Sequence, residues 1–234
     1  YAHAGKPEGC ERVCGSKGRG LKMIGSIVSL TYGEAIEFIL PRHYSGRKPN
    51  ISWAYGWVIE GKLMAAVTYG KPANSSLCDG ICGKEYTGKV YELNRLCRED
   101  ELEEQLSQFV SATLRRLSYE NLIIVSYADS GANHNGYIYQ ATNFMYTGKT
   151  KQRLEFHNEG KHSRHGNKES NLRQIRTAKH RYVFFATKSK AFRKKLMSSL
   201  NYEVLPYPKE FSGKYVLGEY LKPTVVTIKK DKEK

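Results

Sequence analysis

The chain has 234 residues, 40% of them hydrophobic and 12% aromatic. That length and balance fit one globular core with extensions and exclude a disordered polyelectrolyte. Its 38 Lys and Arg against 23 Asp and Glu leave a formal charge of +15, a surplus that calls for a polyanionic partner, nucleic acid before an anionic membrane surface.

Residues 1–22 are Gly-rich and nearly without apolar residues, so they are expected to be an arm outside the fold. They lack the basic, apolar, small-residue order of a secretory signal. No apolar run in the chain reaches the ~18–20 residues of a membrane span. The five cysteines include two C-x3-C pairs, Cys10/Cys14 and Cys78/Cys82, with Cys97 apart. An odd count without the C-x2-C knuckle spacing reads as reduced thiols in a cytoplasm, and no metal is assigned to them.

The domain is expected over residues 23–210. Tyr32, Ile36, Ile39 and Leu40 share one helical face, which predicts a helix at 31–40 that Pro41 stops. "YGWVI" and "KLMAAVTYG" flank the turn "EGK" and predict a hairpin. Residues 71–88 read as a polar connection and 89–97, "KVYELNRLC", as a strand. Leu102, Leu106, Phe109, Val110, Thr113, Leu114 and Leu117 draw one stripe along a second helix, with Asp100 as its expected N-cap. "NLIIVSYAD" reads as a buried strand. "HNGYIYQATNF" follows as a short helix and "FMYTGKT" as a strand. The order predicts an α/β fold, a mixed central sheet flanked by helices.

Between Lys149 and Lys195 there are fifteen Lys and Arg against three acids. Segment 149–200 is therefore the expected nucleic-acid-binding part, a basic extension of the domain. Its candidate contacts are Arg153, Lys161, His162, Arg164, His165, Lys168, Arg173, Arg176, Lys179 and Arg181. Cationic neighbours make the histidines there better suited to nucleic acid than to metal. "RYVFFAT" predicts a strand and the basic run after it a helix. The tail, 211–234, is expected to be frayed and solvated.

The stretch "YADSGANHNGYIYQATNFMY" (127–146) crowds Asp, Ser, Asn, His and Tyr between a strand and a short helix. Tyr139-x-x-x-Asn143-Phe144 with Gly148 resembles the closing segment of the GNAT N-acetyltransferase fold. Together with "PRHYSG", "ELNRLC" and "GKHSRH", it resembles the Mom family of phage DNA-modification proteins over about residues 24–210. The resemblance implies a GNAT-like fold and conversion of adenine in double-stranded DNA to N6-carbamoylmethyl-adenine, which shields phage DNA from restriction. It also implies that His43, Tyr44, Asp129 and Tyr139 matter most, with Tyr139 as general acid. Arg95, with Asn94, Ser126, Asn133, Asn135 and Tyr137, would lie on the donor side.

The chemistry asks for the same residue types. Adenine N6 is a poor nucleophile, so one group must take its proton and another must protonate the leaving group. Asp129 or His43 suits the first task, and Tyr139 or Tyr44 the second. The base must also be flipped out of the duplex, and Tyr137, Tyr44, Trp53 or Trp57 could stack against it. The alternative for both Trp is hydrophobic core, and for Asp129 a helix cap. "CREDELEEQLS" carries Glu99, Asp100, Glu101, Glu103 and Glu104 where a helix N-terminus would receive a pyrophosphate, so ordinary coenzyme A binding is not expected. Glycyl-tRNA supplies both carbons and the nitrogen of the product. An acetyl-CoA donor with iron held by His43, Tyr44 and Asp129 is the other route. Two rival readings are an N-acetyltransferase for a protein or small amine and a non-catalytic basic DNA- or RNA-binding protein.

Overall fold

The computed structural model describes residues 24–102, 105–157, 170–209 and 224–228. The expected arm at 1–22 and the Cys10/Cys14 pair lie outside them. Among the described residues, ten strands form two sheets around five helices. β1 (Ser26–Ser29) leads into α1 (Tyr32–Ile39), whose start Thr31 and Glu34 fix by a reciprocal capping box. β2 (Trp53–Ile59) and β3 (Lys62–Gly70) make the expected hairpin, turning at Glu60 and Gly61, both at positive φ.

The connection after β3 is not a plain loop. It holds α2 (Ser75–Cys82), capped where the Asn74 side chain accepts the Ser76 N–H at 3.0 Å. Cys78, Ile81 and Cys82 on its inner face are buried. The helix is short and built from weak formers, so its three apolar positions were masked by Asn, Ser, Asp and Gly. A 3₁₀ turn (Lys84–Lys89) then feeds β4 (Val90–Arg98).

The next helix, α3, runs Leu106–Leu117 and starts well after Asp100, the expected cap. Glu99 is held instead by Arg42, with Nη2 at 2.6 Å from Oε1 and Nε at 3.2 Å from Oε2. That bidentate ion pair keeps residues 99–102 non-helical. β5 (Leu122–Asp129), α4 (Tyr137–Ala141), β6 (Met145–Lys149), β9 (Lys179–Ala186) and α5 (Lys190–Ser198) complete the main body.

The main sheet has the order β1-β2-β3-β4-β5-β9-β6. All neighbours are antiparallel except β4 and β5. One core cluster packs the sheet against α3, with Trp57, Tyr69, Phe109, Leu114 and Phe144 fully buried. A second packs it against α2 and α5. Trp57 donates its indole N–H to Ile24 O at 2.7 Å, and Trp53 stands edge-on to Tyr91 at 4.7 Å. Both tryptophans are therefore packing residues. Cys78 and Cys82 lie in the second cluster and Cys97 in a third, so these three thiols do not converge.

β6 and β9 continue past their pairing into β7 (Arg153–Phe156) and β8 (Leu172–Arg176), an antiparallel ribbon. β10 (Val225–Thr227) adds to β8 as a third strand. This corrects the expectation of a wholly frayed tail: Val225 and Val226 are β-branched, and their backbone completes the β8 edge.

The segment after α1 packs tightly on β3. A Cβ at Gly70 would come within 1.9 Å of Asn50 O. Gly70→Ala must push this segment off the sheet, and about 1–3 kcal/mol of stability should be lost. Chemical unfolding of the variant against wild type measures it.

Candidate active site

The site starts from how β4 and β5 separate. Their parallel ladder pairs Val90, Tyr91 and Glu92 with Ile123, Ile124 and Val125. Beyond it β4 stays with β3 as far as Arg98, and β5 stays with β9 as far as Asp129. A wedge opens between the two diverging halves. β4 also carries a bulge, since Leu93 faces Tyr69 and Arg95 faces Thr68, leaving Asn94 without a cross-strand partner. The Asn94 side chain locks the bulge, donating to Asn50 O at 2.7 Å and accepting from Thr68 Oγ1 at 2.6 Å.

Arg95 follows the bulge. Its Nη1 donates to Asn94 O at 2.6 Å and its Nη2 to Arg47 O at 3.1 Å, while its buried Nε has no hydrogen-bond partner. Glu92 closes the parallel ladder. Burial raises its carboxyl pKa, against the opposing pull of Arg95, Lys179 and Arg176. Sequence reading passed over Glu92. Its only signal was an acid alternating with apolar residues in "VYEL", a pattern that exposed strands share.

Tyr139, on α4, reaches the same region. Burial raises its hydroxyl pKa, and a hydrogen bond with Ser126 opposes the shift. Ser126 donates its own proton to Leu93 O at 2.9 Å, so it accepts from the tyrosine. The Tyr139 ring packs at 5.4 Å from Phe144 and 5.3 Å from Tyr182.

His43 and Tyr44 come from the loop after α1, which the Arg42–Glu99 pair clamps to the end of β4. His43 Nδ1 accepts the Ser45 backbone N–H at 3.1 Å, so its ring proton sits on Nε2. Burial first, then Arg95, His134 and Lys179, push its pKa down to about 3. The ring is neutral at neutral pH and a weak base. It stacks on Tyr44 at 4.4 Å, and Tyr44 in turn lies 5.8 Å from His134.

Asp129 ends β5 and caps a 3₁₀ turn, Ser130–Ala132. Burial raises its pKa, but hydrogen bonds from Thr177, Lys179 and Gly131 outweigh that, so it stays ionised. Oδ1 accepts the Gly131 N–H at 3.0 Å and the Thr177 hydroxyl, and Oδ2 pairs with Lys179 Nζ at 2.9 Å. Both oxygens are engaged, which leaves Asp129 anchoring the β8–β9 turn rather than open to a substrate proton. Asn133 takes the left-handed conformation behind the 3₁₀ turn. Asn135 Oδ1 accepts the Tyr137 N–H at 3.1 Å at the start of α4, and its carbonyl accepts the Tyr182 hydroxyl. These two asparagines shape the turn. Tyr137 itself is 67% exposed.

With this geometry in place, comparison gives a family. A model of the Mom protein family matches residues 26–209. The chain belongs to that family. A comparison with curated proteins finds no match. Solved structures similar to the chain include an N-acetyltransferase from Staphylococcus aureus Mu50, at 8% identity and TM-score 0.45 over 69% of this chain and 98% of that one. A GNAT family acetyltransferase from Elizabethkingia anophelis with acetyl-CoA bound gives 11% and 0.41 over 68% and 97%. A GNAT-like decarboxylase, GphF, in complex with isobutyryl-CoA gives 9% and 0.39 over 69% and 99%.

In this Mom-family chain the basic ribbon leaves the main sheet at the wedge, because Thr177 and Lys179 join β8 to β9 while holding Asp129. Among the expected nucleic-acid contacts, Arg153 and Arg176 flank Glu155 at 3.6 and 2.7 Å and keep much of their surface exposed. Arg173 covers the Phe156 ring at 4.0 Å and donates to Ser170 O at 2.7 Å. Lys161, His162, Arg164, His165 and Lys168 lie outside the described residues. Two expected contacts are used internally. Lys179 is paired with Asp129. Arg181 donates to Thr147 Oγ1 at 2.9 Å and Thr147 O at 2.8 Å, with its guanidinium 3.3 Å above the Tyr202 ring.

Of the acids expected to bar a pyrophosphate, the three that are described lie away from the first turn of α3. Glu99 pairs with Arg42, Asp100 and Glu101 precede α3, and the first turn of α3 carries no acid. Glu103 and Glu104 lie outside the described residues. The iron set does not fit as placed. His43 Nδ1 and both Asp129 oxygens are taken, Arg95 and Lys179 add positive charge, and among the described residues no three His, Cys, Asp or Glu converge for a metal. No helix of the described residues is long and apolar enough to cross a membrane.

Arg181→Ala should lose about 1–3 kcal/mol of stability through its bonds to Thr147 and its contact with Tyr202. Duplex DNA affinity should stay within twofold, and thermal unfolding with a binding titration checks both. For His43, the folded pKa is depressed below the unfolded value near 6.5. Its contribution to stability is full above pH 6.5 and falls as pH drops toward 3, because the unfolded chain takes up the proton first. His43→Gln should therefore lose less thermal stability than wild type between pH 7 and pH 5.

Proposed function

We propose that this Mom-family protein is a DNA-modifying transferase. It acts on adenine N6 in phage DNA, converting the base to N6-carbamoylmethyl-adenine and shielding the DNA from host restriction. The observation that carries this reading is the placement of Glu92, Arg95 and Tyr139 in one wedge, at the root of a cationic ribbon. A flipped base entering there is offered a proton acceptor, a cation and a proton donor, while the ribbon holds the duplex beside it.

In the transfer step a bond forms between N6 and the donor carbon, and the bond from that carbon to its leaving group breaks. The N6 proton passes to Glu92, whose raised pKa makes it a better base than Asp129 or His43. Tyr139 protonates the leaving group. The unpartnered Nε of Arg95 can hydrogen-bond an oxygen of the donor or of the transition state. Neutral His43 and Tyr44 form an aromatic wall on the other side of Arg95.

Two donor classes suit the wedge. A glycyl ester such as glycyl-tRNA has the required carbons and nitrogen. Its first adduct, an N6-glycyl-adenine, is an isomer of the product, so exchange of the two nitrogens completes the conversion without an oxidant. A coenzyme A thioester is the second donor class, and the first turn of α3 carries no acid of its own. An acetyl group from it lacks the amide nitrogen, and reaching the product from it needs ammonia or an amide donor, a two-electron oxidant and attachment to N6 through the methyl carbon.

Mass spectrometry of nucleosides from plasmid DNA tests the reading. Cells expressing wild type should yield a deoxyadenosine in which a carbamoylmethyl group replaces one N6 hydrogen. Glu92→Gln and Tyr139→Phe should abolish it, at unchanged DNA affinity and normal folding. Labelled glycine or labelled acetate in the medium identifies the donor. With purified components, the wild-type rate should climb as pH rises through the raised Glu92 pKa, since only the ionised carboxylate accepts the proton. A rate without that limb assigns the base elsewhere.

A further inference from the structure

The described cations of segment 149–200 do not form one surface. β9 carries the chain from the wedge, at Lys179, to a hollow of about 350 Å³ at the opposite end of the sheet. Phe184 on the hollow's floor lies about 17 Å from Lys179 along the strand. Met145, Phe184 and Met197 give the hollow an apolar lining, and Lys190, Arg193 and Lys194 form its rim.

Three features of α5 are unfavourable unless something anionic and partly apolar sits there. Lys190, Arg193, Lys194 and Met197 follow one helical face at offsets of three and four, and like charges at that spacing destabilise a helix. The cations crowd the N-terminal half of α5, whose first turn has no acid, where the helix dipole opposes positive charge. Met197 shares their face and is 48% exposed, although the same helix buries Leu196 on its inner side. The neighbouring carboxylate, Glu85, pairs with Lys195 at 2.8 Å, away from the rim. Arg193 is held in place by donating to Thr187 O at 2.9 Å.

We propose that this hollow is a nucleotide site for single-stranded nucleic acid, its apolar floor receiving an unpaired base and its cationic rim the flanking phosphates. Phe and Met offer the flat or polarisable contacts that a base face takes without regard to sequence. A duplex keeps its bases stacked inside and could offer only phosphates. The site is separate from the wedge and extends the proposed function, because a strand seated here is not the nucleotide being modified.

Binding of a labelled oligothymidylate and of a matched duplex, followed by fluorescence anisotropy over a salt series, tests the proposal on the full chain. Wild type should bind the single strand. Lys190→Glu/Lys194→Glu should weaken that binding roughly tenfold or more and reduce the salt slope by about 0.7 for each phosphate no longer neutralised. Met197→Ser should weaken it several-fold with the slope unchanged. Duplex affinity should stay within twofold in Met197→Ser and fall by much less than single-strand affinity in the charge-reversed variant, and Lys190→Gln/Lys194→Gln, with matched thermal unfolding, guards against a folding defect. Single-strand binding that is absent in wild type or untouched by these variants overturns the site. Equal loss of duplex binding reduces it to a phosphate patch and also overturns it. Displacement by polyglutamate at matched charge, lost in the Glu variant, would assign the hollow to an acidic peptide instead. None of these readouts depends on adenine modification, so failure of the wedge chemistry and failure of this site are seen separately.

Discussion

The short parallel ladder between β4 and β5 is the constraint on which the rest depends. Three registered pairs are enough to join the two halves of the sheet, and the ladder stops there. Each strand then follows a different antiparallel neighbour, so the inner edges of both lose their hydrogen-bond partners inside the protein. Such groups must be paired by something other than a strand. The side chains supply part of that pairing. Ser126 reaches across from β5 to Leu93 O, and Arg95 folds back onto Asn94 O. The polar residues of the wedge are thus required by the way the sheet parts as well as by the chemistry proposed for it.

Placing charge in such a wedge sets a competition between desolvation and attraction. For Glu92 desolvation dominates, although three cations lie within electrostatic reach. For Asp129 the opposite holds, because two hydroxyl- or ammonium-borne protons and a backbone N–H contact its oxygens directly. The difference is one of distance. A hydrogen bond made to the charged form acts at full strength, whereas a cation that feels the carboxylate without bonding it is partly screened. Lys179 is bonded to Asp129, which limits what it can do for Glu92. Two carboxylates in one site are thereby driven to different tasks, one held ionised as an anchor and one poised to accept a proton.

Much of this fold is legible in the sequence because its elements announce their periods. Thr31 with Glu34 starts α1, the Glu60–Gly61 turn makes the hairpin, and the apolar run at Leu122–Val125 makes a central strand. The failures have physical causes. α2 is too short and too rich in weak helix formers for its three buried positions to stand out. Asp100 is a good cap in isolation, but the Arg42–Glu99 pair, fifty-seven positions apart, holds the chain out of the helix there. A long-range ion pair leaves no local trace. The site was legible as a list of residue types through the family resemblance, while the roles within it were not. Asp129 could be read as a base or as a cap because its partner Thr177 lies 48 positions further on, and Glu92 looked ordinary because burial cannot be read from one acid in a strand.

The same limit applies to charge. Counting Lys and Arg along 149–195 suggests one cationic surface, yet a β-strand is a rigid spacer, and β9 sends the charges before it and after it to opposite ends of the sheet. Within the strand, Lys179 and Arg181 are consumed by Asp129, Thr147 and Tyr202, so β9 itself contributes little to the outside. Among the described residues, what remains exposed is mainly divided between the ribbon and α5. Long-range attraction of a polyanion depends on the sum of these charges, which composition reports faithfully. Orientation depends on where they sit, and that is decided by pairings the composition does not contain. A protein built this way attracts a polyanion with its whole surface, while Lys179 and Arg181 beside the wedge are spent on holding the fold together.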